Sequence, residues 1–278
     1  MNQTLHLKRA AFAIFVDKDG TINLQDKRLN NIFKLIHSMN GIIIPTTGRT
    51  VGDMLEELDE NNLMRPLLII GDNGGCIYST RDRQFLYKKT LNAEKVENIN
   101  SHFIKLGGNS ETIRLTDGEF IYAVNNPDVQ AYYRKKHTVK YGENIEQLLE
   151  TMPEITKITL AGTKPQMQEM ASYVESLNFW SDMGATKFPN TSYQHYRLDI
   201  ADRNINKGNA VKLINSTLKP PYGYMCIGNG ENDIPMFKQA IDDDMLIGIM
   251  EDSPQSVVEE MRAYVDLKKR RQNDYYSC

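Results

Sequence analysis

Ala10-Ala11-Phe12-Ala13-Ile14-Phe15-Val16-Asp17-Lys18-Asp19-Gly20-Thr21 is the stretch that decides how this chain folds. Its apolar run, Ala10 to Val16, is seven residues long, whereas a membrane helix needs about 20. Lys8-Arg9 in front gives it a faint likeness to a signal peptide, but it ends in Asp17-Lys18-Asp19 rather than small cleavable residues. It reads as a buried strand. Side chains two apart on an extended chain point to one side, so Asp17 and Asp19 can address a single ligand. Two carboxylates that close need a cation or a shared proton, which suggests a divalent metal. Gly20 lets the chain turn sharply and bring its N–H groups to an anion. The plainer alternative is a strand followed by an acidic turn, since Asp and Gly are turn residues in their own right.

Working outward, short apolar runs alternate with amphipathic stretches. Ala11–Val16 is followed by Leu29–Met39 with apolar residues at helical spacing, Gly41–Pro45 by Val51–Leu63, and Leu67–Ile70 by a strand at Cys76–Tyr78. This rhythm predicts a parallel sheet with helices on its faces. After about Arg83 the texture changes. Glu111–Val124 reads as a hairpin turning at Asp117-Gly118, Pro127–Lys136 and Pro165–Leu177 as helices, and Ile155–Leu160 as a strand between them. From Arg197 the first texture returns, with helices at Lys207–Asn215, Ile234–Ala240 and Pro254–Tyr264 and strands at Tyr222–Gly228 and Met245–Ile249. The expected fold class is therefore α/β: a Rossmann-like parallel-sheet core, residues 1–83 and 196–278, split by an inserted α+β domain at 84–195.

Composition narrows the function. The chain has 278 residues, 33 Lys plus Arg against 36 Asp plus Glu, and a formal charge of −3. That balance excludes a protein that holds nucleic acid by phosphate neutralisation. A hydrophobic fraction of 40% and a charged fraction of 25% argue against disorder, and no run is long enough for a membrane span. Cys76, Cys226 and Cys278 are far apart with no CxxC, which fits free thiols in a cytoplasmic protein. The histidines show no metal-ligand pairing. Lys268-Lys269-Arg270-Arg271 reads as a solvated helix end.

Three more strand ends carry polar groups: Thr46-Thr47-Gly48-Arg49, Lys207-Gly208 at the head of a helix, and Gly228-Asn229-Gly230-Glu231-Asn232-Asp233. Open parallel sheets bind ligands where the carboxyl ends of their strands converge. A metal, a positive charge and short donors around an oxygen nucleophile suit phosphoryl transfer. Each piece alone has an ordinary reading, as a helix cap, a surface lysine or turn chemistry. Four together in this order do not.

The order D-x-D-G-T, T-G-R, K-G, G-x-G-x-N-D resembles the haloacid dehalogenase superfamily, in particular its Cof-like and sucrose-phosphatase-like branch with a type IIB cap. Asn73-Gly74 and Arg197-Leu198-Asp199-Ile200 add to the match. The middle segment matches only in length and texture. The resemblance implies a Mg²⁺-dependent phosphatase acting on a small phosphorylated metabolite, most readily a sugar phosphate. Asp17 would attack phosphorus to form an aspartyl-phosphate, and Asp19 would serve as acid and base. Thr47, Gly48, Lys207 and Asn232 would bind the phosphoryl group. Asp17, Asp19, Asn229 and Asp233 would hold Mg²⁺, with Asp233 also orienting Lys207. Arg49, Asn73 and Arg197 would face the substrate. The same residues would serve a phosphomutase.

Two departures stand out: Asn229 where the family usually has Asp, and Lys18 where it commonly has an apolar residue. The lost charge at 229 weakens the case for tight Mg²⁺ binding and leaves open a protein that binds phosphometabolites without turnover. Within the insertion, Arg134-Lys135-Lys136, Tyr193, His195 and Tyr196 could touch a polar ligand, while Trp180 reads as cap core. Closure of the cap is expected to bend the chain near Arg81–Gln84 and Asp199–Asn204.

Overall fold

The computed structural model describes residues 10–275 except 27, 134–135, 153, 187–194, 219 and 221–222. Arg134, Lys135, Tyr193 and Cys278 lie outside the described residues, as do the side chains of Lys268-Lys269-Arg270-Arg271.

The first apolar run forms β1 (Phe12–Asp17). It is followed by α1 (Leu29–Ser38), β2 (Gly41–Thr46), α2 (Val51–Glu60), β3 (Leu68–Gly71), β4 (Cys76–Ser79) and β5 (Gln84–Lys88). After the insertion come α7 (Lys207–Leu218), β12 (Tyr224–Gly228), α8 (Ile234–Asp242), β13 (Leu246–Ile249) and α9 (Gln255–Tyr275). These strands make one seven-stranded sheet in the order β13-β12-β1-β2-β3-β4-β5. It is parallel from β13 to β3, and β4 and β5 add as antiparallel strands.

Strand alternation sends successive residues to opposite faces, and each face is covered. Phe15, Ile44, Leu68 and Ile70 pack with Val211, Ile214 and Phe237 from α7 and α8. Ile69 and Cys76 pack with Val51, Met54 and Leu58 of α2 on the other face. The result is a three-layer core. The chain runs one way from β1 to β2 and the other way to β12, so the carboxyl ends of β1, β2, β3 and β12 surround a topological switch point.

The insertion comprises α3 (Ala93–Lys105), β6 (Arg114–Thr116), β7 (Ile121–Val124), α4 (Pro127–Tyr132), β8 (Val139–Gly142), α5 (Ile145–Thr151), β9 (Lys157–Gly162), α6 (Lys164–Ser176), β10 (Phe179–Thr186) and β11 (His195–Asp202). Its sheet, β10-β11-β9-β6-β7-β8, is antiparallel except for β7 with β8. One face packs on α3, α5 and α6 through Phe103, Leu115, Ile158, Leu160, Leu198 and Met170. The other faces the core domain.

The topology corrects the boundaries expected at 83/84 and 195/196. β5 belongs to the core sheet, where Phe85 meets Tyr78 edge-on at 5.1 Å. β11 belongs to the insertion, between β10 and β9. The crossings therefore follow Lys88 and Asp202. The hinge expected at Arg81–Gln84 falls on the turn between β4 and β5, inside the core sheet. The two domains meet through Val51 N–H donating to Gly118 O at 2.7 Å and His137 N–H donating to Glu56 Oε1 at 2.8 Å.

Candidate active site

A cavity of about 680 Å³ opens between the carboxyl ends of the core strands and the inner face of the cap sheet. Asp17, the last residue of β1, lies on its floor and is buried. The fully buried Lys207 at the start of α7 bonds Asp17 Oδ1 and, at 2.6 Å, Asp233 Oδ1. Burial would discharge this lysine, but the two carboxylates outweigh it and hold its pKa above the ordinary value. Burial also dominates at Asp17, pushing its carboxyl up to about 6 against the pull of Lys207 and with the help of Asp233 and Asp19.

Asp19 lies at the cavity edge with its side chain half exposed. Arg49 grips it through both oxygens, Nε to Oδ2 at 3.0 Å and Nη2 to Oδ1 at 2.6 Å. Burial acts to raise the Asp19 pKa, but Arg49 and then Lys18 overcome it and hold the carboxyl below the usual range. Lys18 is itself buried, with Nζ 3.1 Å from Asp19 and 2.7 Å from Glu57 of α2. Arg49 also reaches Glu57 at 3.2 Å and Asp53 at 3.4 Å. The unusual Lys18 thus belongs to a charge network that fixes Asp19 and Arg49 between β1 and α2.

The helix cap of α2 is Thr50, whose hydroxyl accepts from Asp53 N–H at 3.1 Å. That leaves Thr47 uncommitted as a cap. It is fully buried, and its hydroxyl oxygen accepts from Arg49 N–H at 3.1 Å, which leaves the hydroxyl proton to be donated. Gly48, Asn73 and Asn232 line the cavity, and Asn232 Nδ2 donates to Asn73 Oδ1 at 3.2 Å. Buried Asp72 and Asn73 both have positive φ, 48° and 55°, and so turn the chain sharply beneath the site.

Asp233, expected among the metal ligands, is tied to the lysine and to its own loop. This residue is fully buried; one oxygen binds Lys207 and the other accepts from the N–H groups of Asn229 and Gly230, each at 2.9 Å. Both oxygens serve the loop and the lysine, because a buried carboxylate is stable only when its charge and lone pairs are matched. Asp17 and Asn229 line the cavity with a carboxylate and an amide, and the resemblance implies the Asp19 backbone carbonyl as a further oxygen donor. Asn229 packs on Gly20, whose φ is +83°, and a Cβ at that position would overlap the amide. Among the described residues no three His, Cys, Asp or Glu side chains form a metal cluster. A set of one carboxylate and two neutral oxygens fits Mg²⁺, which keeps several of its waters.

Besides Arg197, which the sequence reading placed at the substrate, the cap supplies lining residues that reading had not assigned. Arg114 and Thr116 of β6, Lys157 and Thr159 of β9, and Arg197 and Asp199 of β11 all line the cavity. In register, Thr159 lies opposite both Arg114 and Asp199, and Thr116 opposite Lys157. Lys157 reaches across to the core, donating to Gly48 O at 2.5 Å and standing 3.3 Å from Asp72. Asp72 also accepts from Thr156 at 2.5 Å and Thr116 at 2.9 Å. Lys136 joins Asp53 across the same gap. Trp180, expected in the cap core, instead lines a second cavity of about 90 Å³ beside Asn73 and Lys207.

The signal that could have found the cap residues is period-two alternation: Arg114-Leu115-Thr116, Lys157-Ile158-Thr159-Leu160 and Arg197-Leu198-Asp199-Ile200 each send apolar residues to the cap core and polar ones to the cavity.

Residues 14–261 match the model of the haloacid dehalogenase-like hydrolase family. The chain belongs to that family. Solved members share its whole two-domain fold. A haloacid dehalogenase-like hydrolase from B. subtilis is 15% identical with a TM-score of 0.68, over 88% of this chain and 91% of that one. A protein from Thermotoga maritima is 22% identical, TM-score 0.65, over 89% of each chain. A HAD subclass IIB sugar phosphatase is 20% identical, TM-score 0.64, over 91% of each. The family read from the four motifs is thus the family matched. No curated protein is similar in sequence. No helix among the described residues is long and apolar enough to cross a membrane.

Proposed function

We propose that this protein is a Mg²⁺-dependent phosphatase that hydrolyses a small phosphorylated metabolite, a sugar phosphate, through an aspartyl-phosphate on Asp17. The observation that carries the reading is Asp17 on the floor of a polar cavity, backed by buried Lys207 and Asp233, with Asp19 at the cavity edge. The likeness to a sugar phosphatase of subclass IIB supports the substrate class.

In this reading the phosphoryl group rests on the Thr47 hydroxyl, the Gly48 backbone and Asn232, with Lys207 offsetting its charge. An Asp17 oxygen attacks phosphorus as the ester oxygen departs, taking a proton from Asp19. Asp19 then accepts the proton of a water that attacks the phosphoryl group and frees Asp17. Arg49 holds Asp19 as a carboxylate in the resting site, so Asp19 must loosen from Arg49 to carry the proton. Asp17, the Asp19 carbonyl and Asn229 would hold Mg²⁺, which supplies charge stabilisation for the phosphoryl oxygens. Asp233 keeps Lys207 in place. The cap keeps bulk water out.

The test is phosphate release over a panel of sugar and other small phosphate esters with Mg²⁺, Mn²⁺ or chelator, beside Asp17→Asn. Metal-dependent release lost in the variant is the expected result. Transfer to a second sugar position without release would assign a mutase, and tight binding without release under any metal would assign a binding protein.

A further inference from the structure

The inner face of the cap sheet carries a specific charge pattern. Arg114, Lys157 and Arg197 come from three neighbouring strands, with Asp199 among them and Asp182 opposite Asp199 on the next strand. On the core side the lining holds Asp17, Asp19 and Asp53 against Arg49. Each of these floor carboxylates already has a cationic partner, Lys207 for Asp17, Arg49 for Asp19 and Lys136 for Asp53, while the roof lining carries three cations of its own. Arg114 and Lys157 are buried, at 4% and 6% exposure. Lys157 is paired with Asp72 at 3.3 Å, whereas Arg197 is about half exposed and faces the cavity from its rim.

Arg114 is held in place, whereas half-exposed Arg197 has one carboxylate nearby. Arg114 Nη1 donates to Tyr133 OH at 3.0 Å, and its guanidinium carbon lies 5.7 Å and 5.9 Å from the rings of Tyr132 and Tyr133. Arg197 stands 3.9 Å from Asp199, whose other oxygen accepts from Thr159 at 2.6 Å. Guanidinium groups present planar pairs of donors that match the two oxygens of a carboxylate or phosphate. A volume of about 680 Å³ has room for a ligand spanning floor to roof.

We propose that the substrate is a phosphate monoester whose alcohol carries a second oxyanion, a carboxylate or another phosphate, bound by Arg114 and Arg197 at the roof while the scissile phosphate sits at the floor. This rests on the phosphatase reading for the position of the scissile group, and it narrows the substrate to doubly anionic esters.

The test uses the full-length chain in two arms. In the first, Asp17→Asn protein with Mg²⁺ is titrated calorimetrically with three probes: glucose 6-phosphate, 6-phosphogluconate and glucose 1,6-bisphosphate. One or both of the doubly anionic probes should bind about 10- to 100-fold more tightly than the neutral sugar ester, and the preferred one names the second group. Arg197→Gln in the same background should bring the ratio close to one. Arg114→Lys, which keeps charge and loses the fork, should lower it while leaving the melting temperature near that of the parent. In the second arm the wild-type chain is assayed for phosphate release from the same probes. Equal affinities in the first arm, or a ratio that Arg197→Gln leaves untouched, would overturn the proposal. Preferential binding without any release would overturn the phosphatase reading and leave the oxyanion site standing.

Discussion

Asp72 is the buried carboxylate that ties the core to the cap, beside the links at Gly118, Lys136 and His137, and Asp72→Asn isolates its role without changing size. The carboxylate is fully buried, accepts from Thr156 at 2.5 Å and Thr116 at 2.9 Å, and faces the Lys157 ammonium at 3.3 Å. All three partners come from the cap. At an effective dielectric constant of 20 the attraction to Lys157 is about 5 kcal/mol before desolvation is subtracted. Removing one member of a buried pair costs about 3–5 kcal/mol, because the other charge stays behind. Lys157 keeps the field of Asp199, which together with Asp72 outweighs burial and raises its pKa. The lower end of that range therefore applies, about 3 kcal/mol. For a chain of this size each kcal/mol moves the midpoint by about 2–4 °C, so Asp72→Asn should melt about 6–12 °C below wild type by calorimetry. Lys157→Met in the Asp72→Asn background should recover part of the loss, since it removes the orphaned charge. A single-variant shift under about 2 °C, or a double variant as unstable as the sum of its parts, would refute the claim that this buried pair fastens the cap.

Four further outcomes follow from the site. Burial lifts the Asp17 carboxyl to about 6, and only the ionised form attacks phosphorus; kcat/KM should therefore fall about tenfold per pH unit below that value at low Mg²⁺, and added Mg²⁺ should move the limb to lower pH. Asn229→Asp restores a charged oxygen donor and should lower the Mg²⁺ concentration for half-maximal activity by tenfold or more, about 1.4 kcal/mol, read from metal titrations. Gly20→Ala meets both a φ of +83° and the Asn229 amide; it should cost about 1–2 kcal/mol of stability in urea unfolding and raise the Mg²⁺ requirement. Lys18→Met leaves Glu57 with Arg49 as its remaining cation and should lower stability by about 1–3 kcal/mol, with kcat falling more than KM rises because Asp19 loses its support.

The core fold was legible because its strands are buried on both faces and therefore read as continuous apolar runs bounded by turn chemistry. β1, β2, α1, α2 and β13 fall within a few residues of where periodicity puts them. The failure at the domain boundary has an equally physical cause. Gln84–Lys88 is an edge strand, half exposed, and edge strands lack the apolar signature that reveals their sheet. His195–Asp202 alternates polar and apolar residues just as a half-solvated core strand would. Its partners β10 and β9 are decided by tertiary pairing, which local pattern does not encode.

The candidate site divides along the same line. Asp17, Asp19, Thr47, Lys207 and the Gly228–Asp233 loop were readable because each sits at a strand end or helix start, where polar residues after an apolar run have few structural reasons to occur together. Asp233 shows what residue type alone does not tell: its carboxylate also accepts from backbone N–H groups at 2.9 Å and from a buried lysine. The roof was hidden for a different reason. Arg114, Lys157 and Arg197 alternate with Leu115, Ile158 and Leu198, and such alternation ordinarily marks a sheet with one face in water. What changes its meaning is the core domain, which covers that face through Gly118, Lys136 and Lys157. Charges that would be unremarkable on a solvated sheet become a costly, directional feature once enclosed. The chemistry of the floor is thus written locally and serves any phosphate ester, whereas the selection of one ester over another depends on a surface that exists only after two domains have closed on each other.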